Sequence, residues 1–168
     1  MMDFRSNVFY NWGGTRSGYN ADKATLARYN FVDNAYVAGP QSKKAIAFDE
    51  SNMLAKAWFA GNSMNGAIPA DPWSLVTGVS PEGYRLAAPV DVAPVAADPA
   101  ASAYNRVLAG AGASKARDAV DARVVAGLGA GEQLEQADVV VPADHVADAL
   151  DALGHHRGHA AGVGVDPA

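Results

Sequence analysis

The amino-acid sequence predicts an all-β fold: a right-handed parallel β-helix, here an incomplete single-stranded solenoid, followed by short C-terminal helices. Three observations predict it. A degenerate segment recurs at intervals of 27 and 28 residues, from Phe4 to Phe31 to Phe59. Each copy is rich in strand-forming residues, and each carries an asparagine at the same place. A period of this length is typical of solenoids, propellers and arrays.

Each copy reads Phe, two variable residues, Asn, a small or branched residue and then a large apolar residue. The three copies are Phe4–Phe9, Phe31–Tyr36 and Phe59–Met64. Alternation along the strands places Phe4 and Phe31 on an inward face. Three unrelated strands of a β-sandwich with chance asparagines are the alternative interpretation of the same pattern.

The recurring asparagine favours the solenoid because an amide has a physical use in stacked coils. Successive parallel strands lie about 4.8 Å apart, so identical amides can hydrogen-bond from coil to coil. Asparagine also tolerates the left-handed backbone of a tight turn. The residues expected to form this structural ladder are Asn7, Asn34 and Asn62.

Composition divides the chain into three regions. Residues 1–85 are expected to form β-helix coils with loops, and residues 86–126 a Pro/Ala-rich strap and a helical segment. Residues 127–168 are a divergent tail without aromatic residues, expected to be disordered or to come from an out-of-frame reading of GC-rich DNA. The tail also carries most of the net charge of −5.

Two helices are predicted within the second region. Asp98 is the expected N-cap of the first, which ends near Gly110. The second is expected to run from Lys115 to Ala126 with Ser114 as its cap and an Arg117–Asp121 pair on its surface. A third, short helix is expected between Pro142 and Gly154.

Composition also excludes several classes of function. There is no cysteine, so disulfide scaffolds, thiolate zinc sites and cysteine nucleophiles are ruled out. Thirteen basic against eighteen acidic residues give no support for nucleic-acid binding. No apolar stretch is long enough for a membrane span. The segment Gly13–Gly18 lacks the ending of a phosphate-binding loop and is interpreted as a turn between strands.

Loop residues supply the candidates for ligand binding. Arg16, Tyr19 and Trp73 are the predicted substrate-binding residues, because aromatic faces stack on sugar rings and loop cations attract anionic polymers. Trp73 lies in a loop and is expected to be exposed. Trp12 and Trp58 occupy strand positions and are expected to be structural, while Lys43 and Lys44 are loop cations that either bind an anion or provide solubility.

No catalytic residue and no metal ligand is assigned. Asp33, Asp49 and Glu50 are interpreted as solvated loop carboxylates rather than calcium ligands or an acid–base pair. Three tail histidines, His155, His156 and His159, have no firm scaffold and are interpreted as solvated.

The sequence resembles a known family in several consecutive motifs. Asp3-Phe-Arg-Ser-Asn-Val-Phe-Tyr-Asn-Trp-Gly13 closely resembles the Asp-Phe-Arg-Asn-Asn-Val-Ile-Tyr-Asn-Trp-Gly motif of bacterial pectate lyases of polysaccharide lyase family one, in the pectate trisaccharide-lyase branch. Asn30–Tyr36 followed by Gly39-Pro is similar to the next coil of that branch. Segments 60–64, 102–108 and 117–124 are similar to later parts, so the resemblance covers roughly residues 3–126.

This resemblance implies a secreted enzyme, monomeric at full length, that cleaves polygalacturonate by calcium-dependent β-elimination, with an arginine removing the C5 proton. The family's calcium-binding carboxylates and its Arg-x-Pro-Arg segment precede the matched motif. They are therefore expected N-terminal to this chain, and Arg5 does not inherit the role of base. The expectation is a C-terminal fragment of a pectate lyase, inactive alone; a non-catalytic carbohydrate-binding or cell-surface β-helix protein is the alternative.

Overall fold

A computed structural model describes residues 1–79 and 81–130. The third predicted helix, the three tail histidines and nearly all of the region 127–168 lie outside these residues. Nine short strands and four helical segments follow one another along the described chain. The strands are β1 (Met2–Arg5), β2 (Val8–Tyr10), β3 (Gly18–Asn20), β4 (Arg28–Val32), β5 (Ala35–Val37), β6 (Phe48–Glu50), β7 (Lys56–Ala60), β8 (Ser63–Met64) and β9 (Val76–Gly78).

The strands wind through three coils of three strands each. Strand β1 pairs with β4 and β4 with β7 to form sheet 1; β2, β5 and β8 form sheet 2; β3, β6 and β9 form sheet 3. All six pairings are parallel. The predicted all-β fold, an incomplete parallel β-helix with short C-terminal helices, is confirmed.

A repeated turn between sheets 1 and 2 explains the 27- and 28-residue spacing. The residue before each repeated asparagine has a left-handed backbone, with φ of 52° at Ser6, 55° at Asp33 and 67° at Gly61. This conformation turns the chain sharply from one sheet into the next, and the residue that follows is the asparagine in every coil. The turn is thus the unit that repeats in the sequence.

The three asparagines form a hydrogen-bonded ladder across the coils. The Asn7 Nδ2 donates to Asn34 Oδ1 at 3.0 Å, and the Asn34 Nδ2 donates to Asn62 Oδ1 at 2.8 Å. The backbone N–H groups of Asn7 and Asn34 donate to the same two oxygens. Asn34 and Asn62 are buried, so the ladder satisfies polar groups that water does not reach.

Stacked aromatic rings fill the interior beside the ladder. The ring of Phe31 lies 5.0 Å from that of Phe4 and 5.3 Å from that of Phe59, centroid to centroid. Phe9 and Tyr36 stack in the same way at 4.8 Å. Because one aromatic residue recurs at each inward position, each coil buries apolar surface against its neighbours, which is the main stabilising contribution in such a stack.

The segment after the coils runs back across all three of them, and we call residues 86–98 the strap. The Leu86 N–H donates to the Ala57 carbonyl in the third coil. In the second coil, Asn30 Nδ2 donates to the Val90 carbonyl and Val90 N–H donates to Asn30 Oδ1, at 2.9 and 2.8 Å. In the first coil, Ser6 Oγ makes the same two-way contact with the backbone of Asp98.

Four helical segments complete the described chain. They are a 3₁₀ helix (Pro72–Leu75), α1 (Pro81–Tyr84), α2 (Ala100–Gly110) and α3 (Ala119–Ala130). Helix α2 packs against β2 and β5 of sheet 2 and against α3. Within the described residues, no helix combines the length and apolar character needed to cross a membrane.

The predicted helix caps were wrong. Helix α2 begins after Pro99 without a side-chain cap, because Asp98 instead pairs with Arg106. The last helix begins at Ala119 rather than Lys115, and Asp118 rather than Ser114 accepts the hydrogen bond from the Asp121 N–H.

The predicted Arg117–Asp121 pair is also replaced by other contacts. Arg117 donates to the carbonyls of Ala109 and Ala111 at the end of α2, which holds residues 115–117 outside the following helix. Asp121 accepts from the Ala113 N–H. A cation at a helix C-terminus is a favourable alternative to a surface ion pair.

Candidate functional site

The outer face of sheet 3 carries a row of polar side chains, one from each coil. Tyr19, Asp49 and Thr77 are directly in register across β3, β6 and β9. Tyr19 is 64% exposed, and the Thr77 hydroxyl donates to Asp49 Oδ1 at 3.0 Å. Successive members of such a row lie about 4.8 Å apart, so the row forms an accessible strip across the coils.

Arg16 lies over this row from the loop that precedes β3. Its guanidinium carbon is 5.0 Å from the centre of the Tyr19 ring, and its Nη1 is 3.3 Å from Asp49 Oδ2. The Asp49 contact orients the side chain but uses only part of the five N–H donors of a guanidinium. The structure therefore brings Arg16 and Tyr19 together, with donors left for a second anion.

Further positive charge lies at the same corner of the solenoid. Lys43 and Lys44 belong to the loop before β6, and both are exposed. The Lys43 N–H donates to the Gly14 carbonyl at 2.7 Å, which seats this loop beside the one that carries Arg16. The turn predicted over Gly13–Gly18 thus joins β2 to β3 and contributes to a basic corner.

The exposed position predicted for Trp73 is wrong. Trp73 lies in the 3₁₀ helix before β9 and is half-buried against the core. Its ring contacts those of Phe59 and Tyr84, at 5.9 and 5.7 Å, and the guanidinium of Arg85 lies 5.1 Å from its centre. Trp73 therefore packs against neighbouring aromatic rings, and this cluster is separate from Arg16 and Tyr19.

The other two tryptophans occupy packed or partly packed positions. Trp12 is buried and its Nε1 donates to the Lys44 carbonyl at 3.1 Å, which ties the core to the basic loop. Trp58 is half-buried on the outer face of sheet 1, in register with Asn30.

The interpretation of Glu50 as a solvated loop carboxylate is wrong. Glu50 ends strand β6, points inward and is fully buried, while its neighbour Asp49 points to the outer face. Burial raises the pKa of Glu50 above its usual value, and the hydrogen bond from the Asn52 N–H partly offsets that rise. Adjacent carboxyl groups on one strand therefore have opposite environments, as period-two alternation requires.

Calcium does not fit the side chains in the described part of the chain. Among residues 1–79 and 81–130, no group of three or more His, Asp or Glu side chains converges as a metal site would require. Calcium takes six to eight oxygen ligands, several of them carboxylate oxygens. The chemistry available at the sheet 3 face is instead that of cations and an aromatic ring facing solvent.

Asp49 and Thr77 also lie on this face, although the sequence alone did not predict that they do. The signal is the register of sheet 3, in which Tyr19, Asp49 and Thr77 occupy equivalent positions. The strands read Gly-Tyr-Asn, Phe-Asp-Glu and Val-Thr-Gly, so they share no residue type that would reveal a repeat.

Comparisons with known proteins give a consistent family-level result. The chain is 30% identical over 129 residues to a protein named "Probable pectate lyase C" from Aspergillus fumigatus, and 32% identical over 130 residues to a protein of the same name from Aspergillus terreus. Each match covers 74% of this chain and 30% of the relative. No protein-family model matches the chain. No solved structure gives a significant match either.

These relatives are fungal, whereas the motifs of the first coil resemble those of bacterial enzymes. The chain spans about a third of the length of the curated relatives it matches. Taken with a three-coil parallel β-helix, the similarity supports a pectate lyase-like relationship for this chain.

Proposed function

We propose that this chain supplies coils and a polymer-binding face to a secreted pectate lyase-like protein that cleaves polygalacturonate by β-elimination. The proposal extends the similarity to fungal pectate lyases to the protein that contains this chain, and it takes the bacterial branch and a monomeric full-length protein from the motif resemblance. The chain itself is assigned binding, and no catalytic residue is assigned within it.

The observation that carries the proposal is the Arg16–Tyr19 pair on the outer face of sheet 3. A guanidinium forms paired, charge-assisted hydrogen bonds with a carboxylate, which is the group that distinguishes galacturonate from neutral sugars. The exposed Tyr19 ring offers an apolar face on which a sugar ring can stack. Lys43 and Lys44 add long-range attraction for a polyanion.

Calcium dependence is part of the proposed activity of the whole protein and is not assigned to the residues described here. The described residues hold no convergent set of carboxylates. In this chain, neutralisation of substrate charge is therefore assigned to Arg16 and the two lysines. Binding through these side chains requires no metal ion.

A non-catalytic carbohydrate-binding protein is the second candidate. The same scarcity of converging acidic or histidine side chains in the described residues favours it, because proton abstraction next to a carboxylate needs a strong base and strong charge neutralisation. Both candidates predict that this chain binds polygalacturonate, and they differ in whether the full-length protein that contains it releases unsaturated product.

Affinity electrophoresis of the 168-residue chain in gels that contain polygalacturonate tests the binding face. We expect Arg16→Gln to weaken retention about tenfold, since it removes one charge-assisted contact worth roughly 1.5 kcal/mol or more. Tyr19→Ala should also weaken it. Arg28→Gln, which removes an exposed arginine from sheet 1, is the matched control and should keep the wild-type retention, measured for each variant against its mobility in a gel without the polymer. Equal retention of all variants would refute the assignment of this face.

A product assay tests whether the chain itself only binds the polymer. The chain is incubated with polygalacturonate in the presence of calcium or of a chelator, and the ultraviolet absorbance of unsaturated uronides is followed. We expect the chain to bind the polymer without releasing product. Calcium-dependent product formation would show that this chain holds catalytic residues and would reject the purely binding role.

A further inference from the structure

Glu50 is the middle residue of an inward-facing column made by the last residue of each strand of sheet 3. Phe48, which belongs to the core, lies at the other end of the same strand. The partners of Glu50 in register are Asn20 in the first coil and Gly78 in the third. The carboxyl is fully buried, with an exposed fraction of 0%. A carboxyl group placed this deeply needs partners for both oxygens or must remain neutral.

Only glycine, which has no side chain, fits at position 78 of this column. A Cβ atom on Gly78 would lie 1.9 Å from the Glu50 carbonyl oxygen, and its φ of +99° disfavours any other residue. After Gly78, the first residue along the chain that interacts with the Glu50 carboxyl is Tyr84, the last residue of α1. The Tyr84 side chain is buried, with an exposed fraction of 1%. Gly78 thus contributes no side chain to the column in the third coil.

Two buried oxygen atoms at this contact have no hydrogen-bond partner among the described residues. Glu50 Oε1 accepts from the Asn52 N–H at 2.8 Å. Glu50 Oε2 and the Tyr84 hydroxyl are both buried, and neither has a partner of good geometry among the described residues. Each of the two groups nevertheless affects the pKa of the other, and we infer that the carboxyl and the hydroxyl lie close together.

Among the described residues, no positively charged side chain shifts the pKa of Glu50 or of Tyr84. The titratable groups that couple to Glu50 are Tyr84 on α1 and Tyr29 on β4, and burial raises the pKa of both phenols so that they stay neutral. The remaining neighbours, Asn20 and Asn52, are amides. An ionised carboxylate here would lack the cation that buried charges require.

We propose that Glu50 and Tyr84 form a buried, proton-dependent clasp that fastens the segment after the third coil onto the second coil. In the clasp, the Tyr84 hydroxyl donates a hydrogen bond to Oε2 of Glu50, and the Glu50 carboxyl carries one proton and no charge. Loss of the proton leaves an uncompensated charge in the interior. The clasp is thus a device that makes the fold weaker as pH rises.

The sign of the pH dependence follows from which state holds the proton more tightly. Burial raises the pKa of Glu50 in the folded chain above its value in the unfolded chain. The stabilisation is therefore complete below the unfolded pKa and is lost as pH rises towards the folded pKa. Within that window the unfolding equilibrium constant should increase about tenfold per pH unit for one proton.

Urea unfolding of the 168-residue chain, followed by tryptophan fluorescence between pH 4 and pH 8, tests the clasp. The wild-type midpoint should fall with rising pH relative to that of Glu50→Gln, which keeps the shape without the charge. Asp91→Asn, a change at an exposed carboxyl on the strap, is the matched control and should follow the wild type. Wild-type and Glu50→Gln midpoints that run parallel across this range would overturn the proposal.

Two further measurements keep the proposal open to refutation if Glu50→Gln unfolds. Infrared spectra recorded just above the ordinary pKa of glutamate should show the carbonyl band of a protonated acid in the wild type, and its absence would overturn the proposal. Tyr84→Phe should extend the loss of stability to higher pH, because the Tyr84 hydroxyl lowers the pKa of Glu50 in the folded chain and the unfolded pKa, where the loss begins, stays the same. An unchanged pH dependence in Tyr84→Phe would remove Tyr84 from the clasp.

Discussion

Asn34 connects all three coils through one side chain. Its Oδ1 accepts from the backbone and the side chain of Asn7, and its Nδ2 donates to the Phe4 carbonyl and to Asn62 Oδ1. Each of these hydrogen bonds is buried or partly buried. Removing the amide therefore affects several polar groups at once, and the cost is that of leaving them without partners rather than the modest net value of a single hydrogen bond.

Replacement of Asn34 by leucine keeps the volume and removes all four contacts. We expect a loss of about 3 kcal/mol or more in the free energy of unfolding, at the upper end of single substitutions. Chemical denaturation measures it. Asn105→Ala, at an exposed position on α2, is the control and should change stability by less than about 0.5 kcal/mol. A loss for Asn34→Leu as small as that control would contradict the ladder.

Gly78 gives a second prediction at the scale of one residue. Gly78→Ala places a methyl group against the backbone of Glu50 and should separate β9 from β6, with a thermal midpoint lowered by several degrees or more. Gly13→Ala is the matched control, because its added methyl group would meet nothing within 4 Å. If both variants melt with the wild type, the close approach at Gly78 is refuted.

At the scale of elements, the strap is held at separate points rather than along its length. Asn30 binds the backbone of Val90 in both directions, and Ser6 does the same for Asp98. Between these points the strap makes few regular hydrogen bonds, as expected for a segment in which Pro89 and Pro94 remove backbone donors. Each side chain therefore controls its own part of the strap.

Asn30→Ala should release the middle of the strap and leave its end attached. Hydrogen exchange followed by mass spectrometry should show faster exchange around Val90, with unchanged exchange in β4 and β5. Ser6→Ala is the complementary variant and should affect the region of Asp98 alone. Simultaneous loss of protection along the whole strap in either variant would argue against independent attachment points.

At the scale of the whole molecule, the repeat could be predicted from sequence because each type of repeated residue has a single structural role. An inward phenylalanine and a turn asparagine recur in sheets 1 and 2, so Phe4, Phe31 and Phe59 mark the coils. Sheet 3 could not be predicted in this way, since its strands vary in sequence and follow loops of different length. The starts of the C-terminal helices depended on tertiary contacts of Asp98 and Arg117.

The candidate site was predictable to a similar extent. Arg16 and Tyr19 follow from residue type and loop position, and their role in binding stays a prediction. The burial of Trp73 and Glu50 depends on residues distant in sequence, Phe59 and Tyr84, and on the gap at Gly78. No local pattern carries that information, because it arises only when the coils stack.

The path of the strap has a consequence for the order of folding. The coils pair with neighbours that lie roughly one period away in sequence, whereas the strap contacts join residues 60 positions apart in the second coil and 92 apart in the first. Closing longer loops costs more chain entropy, and a chain made from its N-terminus has no residue 98 until late. Of the three coils described here, the one nearest the N-terminus is therefore the last to be fastened.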